Sequence, residues 1–463
     1  MALTKYPRLV VAGLGGDSGK TFITCGILGG LRHRGLKTAA FKKGPDYIDP
    51  AWLGIASGSL TRNLDTYLMA KGDILQSFTK NASGSDISVI EGNRGLHDGF
   101  DTQGSHSTAE LAILLGSPVV LIINATKITR TAAAIALGCK MLDERVNIAG
   151  IILNQVSGKR HIGIVSGSIE QYTGIPVIGA IPKLPEPDKL PSRHLGLVTP
   201  REHGFAETAV LIAAEAIEKY VSLGKIIEIA GQAPELDIVT EGSFFEKKGK
   251  IVKIGYFNDR AFSFYYPENL EALENAGAEL CGISSIDGES LEGIDALYIG
   301  GGFPETNIEA LANNILMKNA VKSAAESGMP IYAECGGLMY LARFVEVNGV
   351  DYELAGVFPI KIKMETKPQG HGYSEVEING QNPYFPVGTA VRGHEFHYSR
   401  VSQTAKGLEY CMKVNRGSGI DSGNDGLVYK NTLGCYLHLH TLSCKEWAGR
   451  MAANALKYKQ DRL

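Results

Sequence analysis

Leu9-Val-Val-Ala-Gly13-Leu-Gly-Gly-Asp-Ser-Gly19-Lys20-Thr21 decides the fold of the first half of the chain. An apolar strand runs into a glycine loop, and the loop opens a helix. Strict GxxxxGK[ST] spacing needs glycine at 14, where the chain has Leu14; Gly13 lies one residue further back. The physical requirements are still met. Successive N–H groups of Gly13, Gly15, Gly16, Ser18 and Gly19 can cradle phosphate at a helix N-terminus. Lys20 can reach terminal phosphates and Thr21 can hold Mg²⁺.

Working outward, short apolar runs alternate with amphipathic segments. Strands are expected at 9–13, 38–42, 87–91, 118–124, 148–154 and 177–181, with helices at 21–34, 108–115 and 164–172. Such βα alternation implies a parallel sheet covered by helices. Carboxylates fall where parallel sheets bind ligands, beyond strand ends. Asp46 and Asp49 lie in Phe41-Lys-Lys-Gly-Pro-Asp46-Tyr-Ile-Asp49-Pro50, and Glu91 and Asp98 in Val89-Ile-Glu-Gly-Asn-Arg-Gly-Leu-His-Asp98. Mg²⁺ takes one or two carboxylates plus phosphate oxygens, so these are metal-site candidates.

A polar stretch, Glu241-Gly-Ser-Phe-Phe-Glu-Lys-Lys-Gly249, reads as linker, after which the alternation restarts. The expected division is a first domain over 1–225, a linker over 226–249, a second domain over 250–445 and a terminal helix over 446–463. One long helix is expected at 307–327. Beyond Gly356, alternating segments at 361–363 and 374–378 suggest an antiparallel extension.

In Met329-Pro-Ile-Tyr-Ala-Glu-Cys335-Gly-Gly-Leu-Met-Tyr340 a strand ends at a cysteine and glycines open a helix. A thiol on such a turn, near N–H groups and a helix dipole, is expected to have a lowered pKa and nucleophilic character. It needs a base, and His394, His397, His438 and His440 are the candidates. The cluster Tyr298-Ile-Gly300-Gly301-Gly302-Phe-Pro-Glu305 can supply N–H donors to an oxyanion.

The bulk numbers exclude several classes. At 463 residues, two or three domains are expected. A formal charge of −3 gives no reason to expect nucleic acid or an anionic membrane as partner. No apolar run suits a membrane helix, and the first residues lack a signal-peptide core. Seven scattered cysteines without CxxC spacing point to reduced thiols in the cytoplasm, Cys25 and Cys139 serving as packing.

Taken together, these segments resemble a named family. The long-spaced loop is similar to that of the dethiobiotin-synthetase-like P-loop branch. Cys335 in AECGG, the GGGFPE loop and the late histidine resemble a flavodoxin-like class I glutamine amidotransferase domain. With KGPDYIDP, RNLD (62–65), EGNRGLHDG, PSRHLG (191–196), RGHEFHYS and YLHLH, the chain resembles the cobyrinate a,c-diamide synthase family along nearly its whole length. The resemblance implies ATP- and Mg²⁺-dependent amidation of corrinoid a and c acetates with glutamine as nitrogen donor.

The same resemblance distributes the roles. Cys335 would be the nucleophile and His438 its base, with Gly301, Gly302 and Gly336 lining the oxyanion hole. Gly13 to Thr21 would bind ATP, and Thr21, Asp46 and Glu91 the metal. Asp46, Tyr47, Asp49 and Asp98 would line the acyl-phosphate site. Ordinary triad enzymes have an acid two positions after the histidine; here that position is His440, which predicts a Cys–His pair. Many relatives carry methionine and tyrosine at the positions of Arg94 and His97. A sister enzyme performs the same diamidation on nickel sirohydrochlorin, so that macrocycle is the alternative substrate. A homodimer is the assembly considered.

Overall fold

The computed structural model describes residues 3–185, 192–193, 196–197, 199–201, 204–237, 248–288, 290–421 and 423–462. The chain divides into two compact units, Met1–Glu241 and Gly242–Leu463.

In the first unit, seven strands form one sheet: β1 (Arg8–Gly13), β2 (Thr38–Lys43), β3 (Arg62–Leu64), β4 (Ile87–Gly95), β5 (Val119–Asn124), β6 (Ile148–Val156) and β7 (Val177–Pro182). Their order is β3-β2-β4-β1-β5-β6-β7, and every pair is parallel. β1 and β2 are buried at every residue, as strands covered on both faces should be, even though β2 ends in Lys42 and Lys43. Chain order reverses around β1, which lies between β4 and β5. The crevice beyond the strand ends there is where such sheets take ligands. Helices α1 (Lys20–His33) and α2 (Ile48–Ser57) start at that edge.

The linker expected from 226 starts too early. Helix α3 (Leu223–Gly231) occupies its beginning, capped by the Ser222 hydroxyl, which accepts from the Lys225 N–H. Ile226 and Ile229 are buried in the first unit's core. The apolar residues at 223, 226 and 229–230 lie on one helical face. The polar stretch 241–247 lies outside the described residues. So do Pro191, His194 and Leu195 of PSRHLG, where Ser192–Arg193 pairs with Gly196–Leu197.

The second unit holds a ten-stranded mixed sheet made of β8 (Val252–Phe257), β9 (Ala278–Ile283), β10 (Ala296–Ile299), β11 (Ile331–Glu334), β12 (Gly370–Ile378), β13 (Ala390–His397), β14 (Glu409–Arg416), β15 (Asn424–Tyr429), β16 (Thr432–Cys435) and β17 (His438–Leu439). The order is β9-β8-β10-β11-β16-β15-β14-β12-β13-β17. The pairs from β9 to β16 are parallel and the rest antiparallel. Alternation splits the core: Leu297, Ile299, Ile331 and Ala333 pack on one face, and Ala296, Tyr298, Tyr332 and Trp447 on the other. Segment 361–363 belongs to a separate four-stranded sheet, in Phe358–Met364. The single helix expected at 307–327 is two, Ile308–Asn313 and Ile315–Glu326. Asn314 stands between them with non-helical dihedrals, its side chain capping Met317 N–H. An Asn side chain offers the backbone this alternative partner, which breaks a helix. A terminal helix spans Glu446–Arg462.

Candidate functional site

The first unit's site starts from the loop after β1. Gly19 has φ +83°, a left-handed conformation that favours glycine, and it leads directly into α1. The Lys20 ammonium donates to Gly15 O at 2.7 Å, and the Ser18 hydroxyl donates to Gly15 O at 2.9 Å. The loop is also held from β6, where Asn154 Nδ2 donates to Ser18 O at 3.1 Å.

Behind the loop lies a buried charge cluster whose centre is a residue the sequence reading passed over. β2 and β4 run in register with Lys42 opposite Glu91, so both side chains project to one face. Lys42 Nζ donates to Glu91 Oε1 and to Asp49 Oδ2, each at 2.6 Å. Thr21 Oγ1 donates to the same Glu91 oxygen at 3.0 Å. Burial alone would lower the Lys42 ammonium, but Asp49, Glu91 and Asp46 override it and hold its pKa above the usual range. Burial pushes Glu91 up to about 7 against the pull of Lys42. Burial and the charge of Asp49 push Asp46 up to about 7 as well. Asp49 is held below the usual range, because Lys42 outweighs its burial. One ammonium thus faces three carboxylates. A second basic residue is lowered: burial and Lys42 push the Lys20 ammonium down.

The expected site residues are sorted by these contacts. Thr21 and Glu91 come together. Asp49, rather than Asp46, shares Lys42 with Glu91. Asp46 uses Oδ1 to accept the Ile48 and Asp49 N–H groups at the start of α2, at 2.8 and 3.1 Å. Tyr47 precedes α2 as its cap residue. Asp98 accepts the Gly95 N–H at 2.8 Å within its own turn. No group of three or more His, Cys, Asp or Glu arranged to hold a metal occurs among the described residues. The donor set still fits Mg²⁺, which asks for few protein ligands. The buried Glu91 Oε2 has no hydrogen-bond partner in the structure, a lone pair left over next to Thr21.

The second unit's site is built around Cys335. Its φ is +48° with ψ −97°, a strained conformation for a residue with a side chain. Such strain costs about 1–3 kcal/mol and persists only where neighbours enforce it. Here Cys335 N–H donates to Cys435 O at 2.7 Å and its carbonyl accepts from Met339 N–H at 3.1 Å. Two glycines permit the turn to approach its neighbours. A Cβ on Gly337 would collide with Ile299 O, and one on Gly336 would lie 3.2 Å from Gly302 N. The expectation of a lowered thiol pKa is overturned. Cys335 is 7% exposed, and burial, with the nearby Glu305 charge, drives its pKa well up despite the Gly336 N–H. Desolvation outweighs the dipole of a helix six residues long. The resting group is a thiol that requires a base.

Of the four histidines, His438 has its ring edge against the glycine loop. A Cβ on Gly301 would lie 2.5 Å from His438 Cε1 and 3.4 Å from Nε2. His438 Nδ1 lies 3.7 Å from Glu334 Oε2. His394 stacks on His438 with centroids 4.8 Å apart, and burial drives its pKa far down, so it stays neutral. His397 donates from Nδ1 to Ser399 O at 2.7 Å and stacks on Tyr436. His440 Nε2 faces Glu268 Oε2 at 3.7 Å. Sequence reading assigned no role to Lys42, Asn154 or Glu334, although Glu334 stands in the motif immediately before Cys335. The signal for Lys42 and Glu334 was a charged residue at the end of an apolar strand, which reads equally well as a strand terminus.

All seven cysteines are free thiols; Cys25 is buried, while Cys139 is half-buried. No helix among the described residues is long and apolar enough to cross a membrane.

Two family profiles divide the chain as the two sites do. Residues 9–198 match a CobQ/CobB/MinD/ParA nucleotide binding domain, and residues 253–445 a CobB/CobQ-like glutamine amidotransferase domain. Cobyrinate a,c-diamide synthase of Archaeoglobus fulgidus is 42% identical over 454 residues, covering 98% of each chain. The enzyme of that name from Magnetococcus marinus is 42% identical over 453 residues, covering 97% of each. That of Methanothermobacter thermautotrophicus is 39% identical over 454 residues, covering 97% of this chain and all of its own. A solved glutamine amidotransferase covers 45% of this chain at 18% identity, and its TM-score of 0.33 is too low to carry weight. With this identity along its whole length, the chain belongs to the cobyrinate a,c-diamide synthase family of glutamine-hydrolysing ligases.

Proposed function

We propose that this chain converts the a and c acetate carboxylates of cobyrinate to amides, with ATP and glutamine-derived ammonia. The observation that carries the reading is the second unit's geometry: the glycine loop touches the His438 edge on one side and the Cys335 turn on the other. His438 takes the thiol proton, and the Cys335 sulfur attacks the glutamine carboxamide carbon. The Gly301, Gly302 and Gly336 N–H groups are the donors available to the resulting oxyanion. His438 returns the proton to the leaving nitrogen, ammonia departs, and water hydrolyses the glutamyl thioester.

In the first unit, a macrocycle carboxylate attacks the ATP γ-phosphorus and ADP leaves, giving an acyl phosphate. Ammonia then displaces phosphate at the acyl carbon. The Gly13–Gly19 loop orients the triphosphate, and Lys20 leaves Gly15 O to meet its terminal oxygens. Thr21 and Glu91, with Asp46 close by, are the residues that would hold Mg²⁺, which supplies charge neutralisation on the phosphates. Asp49 and Tyr47 border the place where the carboxylate is activated. Free thiols throughout fit a reducing cytoplasm.

The alternative macrocycle is nickel sirohydrochlorin, since Arg94 and His97 stand where many relatives have methionine and tyrosine and so leave the choice of macrocycle open. The His97 ring is anchored, with Nε2 2.9 Å from Cys139 O. Incubation with ATP, Mg²⁺, glutamine and either macrocycle, followed by mass spectrometry, distinguishes the two. Two acid-to-amide conversions of cobyrinate are expected. Conversion of nickel sirohydrochlorin alone would transfer the assignment, and conversion of neither would refute it.

A further inference from the structure

We propose that Glu334 is the positioning carboxylate for the His438 imidazole, completing from the strand before the nucleophile what other amidotransferases place after the histidine. The inference rests on the glutaminase reading above. Three observations support it. First, Glu334 is fully buried, and its Oε2 lies 3.7 Å from His438 Nδ1. Second, the carboxylate is itself held. Leu439 N–H donates to Oε1 at 3.1 Å, and the Tyr298 hydroxyl donates to Oε2 at 3.1 Å. Asn269 braces the same segment, donating to Leu439 O at 2.8 Å and accepting from Thr441 N–H at 2.7 Å. Third, the Cε1–Nε2 edge of the His438 ring meets Gly301, so the imidazole contacts the glycine loop while its Nδ1 faces the carboxylate.

The competing acid is accounted for. His440, at the position where triad enzymes carry their acid, faces Glu268 instead. His394, Tyr298, Tyr332 and Cys435, which also pack here, stay neutral, since burial drives the first down and the other three up. A carboxylate at Nδ1 fixes the tautomer with Nε2 as base and stabilises the imidazolium that forms when the thiol gives up its proton. The Cys–His pair expected from the sequence is thus a Cys–His–Glu arrangement, with Glu334 adjacent to Cys335 in the chain.

The test is Glu334→Gln in the full-length protein, assayed with glutamine and, separately, with ammonium as nitrogen source. Glutamine-dependent kcat is expected to fall about 10²-fold or more. Loss of the neighbouring negative charge should also move the acidic limb of the glutaminase kcat/KM profile about one unit lower in pH. Ammonium-supported synthesis, which does not pass through Cys335, should persist. Glu334→Asp should recover part of the loss. Unchanged glutamine turnover with an unmoved acidic limb would overturn the proposal. An equal loss with ammonium would overturn it too, because Glu334 would then be holding the fold. Cys335→Ala serves as reference. If it leaves glutamine-dependent synthesis intact, the glutaminase reading itself fails; if it abolishes it while Glu334→Gln does not, only the present inference fails.

Discussion

Lys42 is the residue on which the first unit's charge balance depends. Its buried ammonium makes two 2.6 Å contacts, and truncating it strands Asp49 and Glu91 without that charge. Breaking a buried pair from one side costs about 3–5 kcal/mol. Lys42→Met should therefore lower the first unit's stability by about that amount, read as a shifted urea midpoint with unchanged slope. A shift typical of a surface substitution would mean the cluster is solvated. Cys335 shows the opposite case, where a residue was recognised but its state was misjudged. The turn is there, but burial outweighs the dipole of its short helix and pushes the thiol pKa up.

At the scale of elements, the second site is an assembly of strand ends. Gly301→Ala would put a methyl 2.5 Å from His438 Cε1. Misplacing a reacting group by about 1 Å can cost about 10²-fold. We expect a loss of that order in glutamine-dependent turnover with ammonium-supported synthesis retained; wild-type glutamine turnover would show the ring is not seated there. Asp425 ties β15 to the segment leading into β17, accepting the Gly426, Tyr436 and Leu437 N–H groups at 2.9 to 3.1 Å. Burial, with the charge of Glu395, pushes Asp425 up to about 7. The folded state then binds a proton that the unfolded state has released, so this contribution is present at low pH. It is lost as pH rises from about 4 through about 7, amounting to at most about 4 kcal/mol. The second unit's melting temperature should fall between about pH 4 and about pH 7, and Asp425→Asn should flatten that slope. A variant with the same slope would move the effect to another group.

For the whole molecule, two sites of different chemistry imply separable losses. Lys20→Ala should abolish amidation with either nitrogen source while glutamine hydrolysis persists. Cys335→Ala should abolish only the glutamine-dependent reaction. A chelator should reproduce the Lys20→Ala pattern. Glutamine hydrolysis that vanished with Lys20→Ala would show that the two sites do not act separately.

How much of this was legible follows from what each feature depends on. Local backbone features were readable in the chain. The glycine loop of the first unit, the Cys335 turn and the βα alternation each follow from apolar runs and glycines at short spacing, whose conformational preferences act over a few residues. The break at Asn314 and the helix at Leu223–Gly231 were local too, but weak composition cues hid them. The sequence by itself therefore determined the two α/β units, the glycine loop and the Cys335 turn, because those rest on local sterics and periodicity. Only the tertiary structure decided that Lys42 joins Glu91 to Asp49 and that His438, not His394 or His440, faces Glu334 beside the glycine loop. Strand register and burial bring those residues together across long stretches of chain, and they set the local dielectric that governs the charge of each group.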